Sequence, residues 1–292
     1  MAKGEWGFVT KLIDAALDIL KEESPMTIRQ LFYRMVSQTL LENSKLDYQR
    51  LSRFMTKARE DGRCDYDLIV DRSRPVYEKS VWKDPSGYAR AVRNSYHKDY
   101  WAMQPRYCEI WAEKDAIVGS IEDLTNDLGV TLRVGRGFLS ATRVNDIAQH
   151  FANCEKPKTV FYLGDHDPSG QEIETTAFKK VWDRFAQLAP LGEEFSWVVD
   201  IKRLAIHESD ITLFDLPPLK IKDSDSRAAK FRKTHGAHCV ELDALPPTEL
   251  RRRIREAVEG QLDLTLWNRA IEIEEVELRS VTEFAERWGA TQ

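Results

Sequence analysis

The chain has 292 residues, length enough for two domains and a sizeable core. Its 42% hydrophobic and 31% charged residues exclude long disorder, and 43 Lys plus Arg against 48 Asp plus Glu, a net charge of −5, exclude a wholly basic nucleic-acid coat. Cys64, Cys108, Cys154 and Cys239 form no C-x-x-C pair and no apolar run reaches the roughly 18 residues of a membrane helix, so a soluble cytoplasmic protein with free thiols and no membrane partner is expected.

Residues 1–105 carry 18 basic against 15 acidic side chains, so the basic character sits at the front of an otherwise acidic chain. Phe8, Leu12, Ala15, Ala16 and Ile19 recur at helical spacing, which predicts a helix ending near Glu23, before Ser24-Pro25. Thr27-Ile-Arg-Gln30 fits a capping box and opens a second helix, about Ile28 to Thr39. A third, about Asp47 to Asp61, puts Leu51, Phe54, Met55 and Ala58 on one face and Arg50, Arg53 and Lys57 on another, suited to phosphates. After Gly62, Asp67–Asp71 reads as a short strand before the basic turn Arg72-Ser-Arg-Pro75. Three helices, a strand and a basic turn suggest a winged helix-turn-helix domain over residues 1–80; a plain three-helix packing module with a solvated charged face fits the pattern equally well. Residues 81–105, with Trp82 and Trp101, read as a linker.

From Arg106 to the end, residues 106–292, strands alternate with helices. Strands are predicted at Tyr107–Ala112, Thr131–Val134, Thr159–Leu163 and Ser196–Ile206, with helices at Ile117–Leu128, Arg143–Ala152 and Gln171–Leu188. Such alternation predicts an α/β, Rossmann-like fold with a mainly parallel sheet. Val240–Leu245 reads as a final strand and turn of the same sheet, and Thr248–Glu259 and Leu264–Trp288 as amphipathic helices that pack on the domain or form a dimer surface.

Ligands of open α/β sheets gather beyond the carboxyl ends of the strands. That rule brings together Glu113 after the first strand, Gly135-Arg-Gly137 after the second and Asp165-His-Asp167 after the third. Alternate residues of an extended segment face the same way, so Asp165 and Asp167 can share a point with Glu113, a carboxylate set suited to Mg²⁺ or Mn²⁺. A lone D-x-D is also a common helix-capping turn, and Asp167-Pro-Ser-Gly170 is a good turn sequence. Lys114 stands as a phosphate contact or a solvated strand-end lysine, and His166 points away from the two acids. Lys220 to Lys233, with six basic residues including Lys220, Lys222 and Arg227, reads as a phosphate-contact loop or a solvated one. His235, His238 and Cys239 lack a fourth ligand at zinc spacing and receive no metal; Glu241 or Asp243 is a candidate support for the carboxylate site.

Glu113-Lys114, Gly135-Arg-Gly-Phe138 with Thr142-Arg143, and Gly164-Asp-His-Asp-Pro-Ser-Gly170 together resemble the Toprim domain of topoisomerases, primases and some nucleases, in the version found in the DNA-cleaving subunit of topoisomerase VI and in its meiotic double-strand-break relative. Upstream, Arg29-Gln-Leu-Phe-Tyr-Arg34 is similar to the motif carrying that family's DNA-attacking tyrosine, here Tyr33. The resemblance spans about residues 24–245, and the length is nearer the compact "mini-A" relatives than the full-length family members. It implies a homodimer on double-stranded DNA, Mg²⁺ or Mn²⁺ at Glu113, Asp165 and Asp167, Tyr33 as nucleophile with Arg29 one helical turn before it, Arg34 against DNA, and a separate ATPase partner for strand passage. The implied activity is that of the DNA-cleaving part of a type IIB topoisomerase: reversible transesterification leaving 5′-phosphotyrosyl double-strand breaks. Two alternatives stand beside it, a hydrolytic Toprim nuclease of the defence-associated kind and a non-catalytic DNA-binding module.

Overall fold

In the computed structural model the described residues are 3–71, 79–135, 140–188, 199–221 and 225–290. The basic turn at 72–75, residues 136–138 of the glycine turn and Lys222 lie outside them.

Three helices open the chain: α1 (Lys3–Glu23), α2 (Ile28–Ser37) and α3 (Lys45–Glu60). The capping box at the start of α2 is present, the Thr27 hydroxyl accepting from the Gln30 amide and the Gln30 side chain accepting from the Thr27 amide. On α3 the Ser44 side chain accepts from the Asp47 amide, and Leu51, Met55 and Ala58 are buried. No winged helix is seen among the described residues. Where the wing strand is expected, Asp65 caps a short 3₁₀ turn over Tyr66–Leu68, and Ile69 makes a lone parallel bridge to Met26. The interval expected as a linker holds a helix, α4 (Pro85–Ser95), started by the Asp84 side chain and a first-turn proline.

The α/β part continues with β1 (Tyr107–Ala112), α5 (Val118–Asp127), β2 (Thr131–Val134), α6 (Ala141–Asn153), β3 (Lys158–Leu163), α7 (Pro168–Leu188) and β4 (Val199–Ala205). Then come α8 (Glu208–Leu213), β5 (Leu219–Lys220), α9 (Ala228–His235), β6 (His238–Cys239), α10 (Pro247–Glu259) and α11 (Leu264–Ala290), the last packed on α4. The four strands β2-β1-β3-β4 form an all-parallel sheet; β5 and β6 pair antiparallel. Val240–Leu245 does not extend the main sheet: Val240 bridges His166 antiparallel, and Leu242–Ala244 form a 3₁₀ turn.

Side-chain alternation assigns the two faces of the sheet. Cys108, Ile110, Ala112, Phe161 and Leu163 join one core with residues of α5 and α10, while Trp111, Val160 and Tyr162 join another with α6 and α7. The first core runs without a break into α1–α3 through Leu20, Leu31, Met35 and Leu51, so the helical part is seated on the sheet. Truncating Leu31 to Ala would cost roughly 2–5 kcal/mol. Polar ties fix the seat: the Arg251 guanidinium donates to the carbonyls of Glu23, Ser24, Pro25 and Ser120, and the Gln30 amide donates to the Ser120 hydroxyl. No helix among the described residues is long and apolar enough to cross a membrane.

Candidate functional site

The strand order places β1 and β3 side by side while the chain visits β2 between them, so the connections leave these two strands in opposite directions and open a crevice at their carboxyl ends. Glu113 follows β1 and Asp165 follows β3, so both acids stand at that crevice.

Asp165 is held at each polar atom. Its amide donates to Glu113 Oε2 (3.0 Å), Arg203 Nη1 donates to its carbonyl (3.2 Å), its Oδ1 accepts from the Leu242 amide (2.8 Å), and its Oδ2 lies 2.8 Å from Lys114 Nζ. Gly170 completes the cradle: a Cβ there would fall 2.5 Å from the Asp165 carbonyl oxygen and 3.1 Å from Glu113 Oε2, so only glycine lets α7 start this close. Asp167 turns to that helix start, its Oδ1 accepting from the Gly170 amide at 2.6 Å. Burial, then the charges of Asp165 and Asp167, push the Glu113 carboxyl up to about 7. The three acids therefore share one electrostatic site.

A second set of groups meets the first at Lys114. Its ammonium lies 3.3 Å from Glu241 and 3.6 Å from Asp243, both supplied by the segment after β6. Burial alone would lower the Lys114 pKa, but Asp165, Asp243 and Glu241 together raise it, so it stays charged. Glu241 also takes a two-pronged bond from Arg29, at 2.7 and 2.5 Å, and Arg29 Nη2 donates to the Tyr33 hydroxyl at 3.3 Å. Burial would push the Glu241 carboxyl up, yet Arg29 and Lys114 hold it below the usual range. Asp243 is 1% exposed and its Oδ1 has no hydrogen-bond partner; burial raises its pKa.

Tyr33 lies 2% exposed, tilted against Phe32, with the Arg29 guanidinium 5.5 Å from its ring. Burial and then the charge of Glu241 push its phenol up to about 12, against the opposing pull of Arg29, so it holds its proton at neutral pH.

The remaining basic residues are dispersed. Arg34 is turned inward to Glu23, at 2.8 Å and with 18% of its side chain exposed, an arrangement that engages it away from solvent. Arg50, Arg53 and Lys57 stay on the outer face of α3, Arg50 beside Asp47 (3.1 Å) and Lys57 beside Asp61 (3.1 Å). Arg227 is tied to Asp225 and Glu172, and Lys220 is exposed on β5. His166 points to α9, its ring 5.2 Å from Phe231 and 5.6 Å from His235.

A hard divalent cation fits this donor set by chemistry, since the groups are carboxylates with an unbalanced like charge at Glu113. As the side chains stand, no group of three or more His, Cys, Asp or Glu among the described residues is arranged to hold a metal ion; Lys114 lies on Asp165 Oδ2 and the Gly170 amide donates to Asp167 Oδ1. The parts missed from the sequence are Arg203, Tyr162, whose hydroxyl donates to Glu113 Oε2 at 3.4 Å, and the weight of Glu241 and Asp243. The alternating Glu-Leu-Asp after β6 was the available signal; the Arg29–Glu241 pair, 212 residues apart, left none. No protein-family model and no curated protein matches the chain.

Proposed function

We propose that the chain cleaves phosphodiester bonds of double-stranded DNA with a divalent cation, Tyr33 being the nucleophile of a transesterification of the topoisomerase VI kind. The observation that carries this reading is the meeting, at one sheet edge, of the Tyr33–Arg29 pair with the Glu113, Asp165 and Asp167 carboxylates through Glu241 and Lys114. The DNA part rests on the outward stripe Arg50, Arg53 and Lys57 and on the resemblance of the motifs.

Glu113, Asp165 and Asp167 would hold Mg²⁺ or Mn²⁺, which supplies positive charge at the scissile phosphate when bound. The Tyr33 oxygen forms the new bond to phosphorus and gives up its proton; the bond from phosphorus to the 3′ oxygen breaks, and that oxygen takes a proton. One phosphodiester replaces another, so the step is reversible. Arg29, beside the phenol, favours the phenolate as it forms. In this reading a second copy of the chain cuts the other strand, and an ATPase partner drives any strand passage.

The burial of Tyr33 and its raised pKa favour a second reading, hydrolysis by an activated water with Tyr33 as a structural residue. The covalent reading requires the phenol to leave its shelter when DNA binds; the hydrolytic reading requires nothing of it. Supercoiled plasmid incubated with the protein and Mg²⁺ or Mn²⁺, quenched with detergent and split between protease and no protease, separates the two. Protein-linked 5′ ends that vanish in Tyr33→Phe and in Asp165→Ala support transesterification. Free-ended breaks that survive Tyr33→Phe and vanish in Asp165→Ala establish hydrolysis, and cleavage by neither route leaves a DNA-binding module.

A further inference from the structure

We propose, on the DNA-cleavage reading above, that Arg59 is a phosphate-binding residue for duplex DNA, standing at the far end of a groove that leads along α3 to Arg29 and Tyr33.

The groove, of about 710 Å³, lies between α3, the start of α2, the segment 69–71 and Asp115 after β1. Tyr48, Ser52, Thr56 and Arg59 line it at spacings of four, four and three, which is one face of a helix. From Tyr48 to Arg59 that face rises about 16 Å, the length of roughly five nucleotides of one duplex strand at about 3.4 Å each. Arg29 stands at the Tyr48 end, its guanidinium carbon 5.9 Å from the centre of that ring and its Nη2 on the Tyr33 hydroxyl at 3.3 Å. Arg29 is thus the link from the groove to the buried phenol.

The two guanidiniums differ in what they have left to offer. Arg29 is answered by the two-pronged bond to Glu241. Arg59 pairs with no acid among the described residues: its Nη2 donates to the carbonyls of Tyr66 and Ile69 at 3.1 and 3.2 Å, and its guanidinium carbon lies 4.7 Å from the centre of the Tyr66 ring. Neutral groups therefore fix its position without cancelling its charge. Nε is buried without a partner, and Nη1, which also has none among the described residues, is not closed off as Nε is. A planar, pre-positioned guanidinium with unused donors suits the oxygens of a phosphate. Asp71 and Asp115 also line the groove, each engaged in contacts of its own and neither paired with Arg59. Between Arg29 and Arg59 the α3 wall is neutral, with Ser52, Met55 and Thr56, so the phosphate contact is assigned to the Arg59 end.

Binding of a duplex oligonucleotide to the full chain, titrated over a range of salt without divalent cation, tests this on the wild type, Arg59→Ala, Arg59→Lys and Thr56→Glu. Ser280→Glu, on α11, controls for added negative charge, and circular dichroism confirms that each protein is folded. Arg59→Ala is expected to weaken binding about 10-fold and to lower the slope of log affinity against log salt by about 0.9, the share of one phosphate contact. Arg59→Lys should keep the slope because the charge remains. Thr56→Glu, one helical turn before Arg59, should weaken binding about 10-fold or more, and Ser280→Glu should leave it unchanged. A wild type that binds duplex no better than Arg59→Ala and Thr56→Glu overturns the inference and leaves the cleavage reading standing. A loss in Arg59→Ala with the slope unchanged marks a merely structural role and overturns it too, whereas a wild type that binds no duplex overturns both. Should Arg59→Ala fail to fold, Thr56→Glu decides against its control: a loss of about 10-fold beyond Ser280→Glu supports the groove, and equal affinities overturn it.

Discussion

Two acidic centres are built on the same parallel sheet and are finished differently. Glu109, in the middle of β1 and 0% exposed, receives the Arg133 fork at 2.6 and 2.7 Å, the Trp111 indole N–H at 2.9 Å and the Tyr107 hydroxyl at 2.8 Å. One negative charge meets one positive charge, and both oxygens are satisfied. At the carboxyl edge, Asp165, Glu241 and Asp243 share Lys114, Glu241 also takes Arg29, Glu113 and Asp167 pair with neither cation, the Asp243 Oδ1 is left over, and Glu113 is pushed up to about 7. A closed ion pair in a core serves the fold; an open one at a topological switch point keeps negative charge that an outside cation can balance.

The sharpest way to break that contrast is to remove one acid from each centre. Asp165→Ala is expected to lower DNA cleavage by about 10²–10³-fold, a loss typical of removing one charge-stabilising group from a site. Its effect on melting should be the smaller of the two, because removing Asp165 also relieves repulsion on Glu113. Glu109→Ala strands the Arg133 guanidinium and the Trp111 N–H, and should cost about 3–5 kcal/mol of stability while the folded fraction still cleaves. Denaturant unfolding and plasmid cleavage measured on both variants check the pair; equal stability losses would erase the distinction.

A smaller, pH-dependent effect separates the centres without truncating either. The Glu113 pKa is raised from 4.5 to about 7 by burial first and by Asp165 and Asp167 next. A carboxyl whose folded pKa lies above its unfolded value favours the folded state while it is protonated. That contribution is complete below about 4.5 and is lost as pH rises through about 7. Without divalent cation, the wild type should therefore lose melting temperature across this window relative to Glu113→Gln, and Mn²⁺ should restore it at the upper end. Parallel melting curves for the two proteins at every pH would show that Glu113 is unperturbed.

Most of the frame was legible in the residues, for reasons the two centres illustrate. Tyr107–Ala112 and Thr131–Val134 are read as strands with their observed bounds because each is a short run bounded on at least one side by a strong helix signal, Ile117–Leu128 between them, and Thr27-x-x-Gln30 marks the start of α2 because capping is local chemistry. Placement of Glu113 and Asp165 at the crevice follows from strand ends. The side chains' partners do not: Lys114 with Glu241 and Arg29 with Glu241 depend on how the segment after β6 folds back, and that segment, read as a strand from Val240 to Leu245, is a bridge and a 3₁₀ turn. Asp67–Asp71 fails as a strand in the same way, since its apolar run is satisfied by one bridge to Met26 after a 3₁₀ turn. Helix α4 was hidden because Trp82 and Trp101 on either side of it led the interval to be read as a linker, although Asp84-Pro85 is an N-terminal helix signal.

The least costly perturbation concerns the charges that belong to neither centre. Arg50 and Lys57 lie beside acids of their own helix, with 52% and 72% of their side chains exposed, and such pairs contribute only about 0.3–0.5 kcal/mol. Arg53 donates to the Gln49 carbonyl and pairs with no acid among the described residues, so it has the least to give up on meeting a phosphate. Removing one cation that neutralises a phosphate lowers the slope of log affinity against log salt by about 0.9. Arg53→Ala should therefore reduce that slope by about one unit for duplex DNA, weaken binding only a few-fold, and leave melting and Mn²⁺ uptake untouched. Asp47→Asn, which frees Arg50 from its partner, should act in the opposite sense and tighten binding. Binding titrations over a range of salt concentrations read both variants. A slope indifferent to Arg53 and Asp47 would move the DNA to another face of the molecule, while leaving the contrast between the closed and the open acidic centre intact.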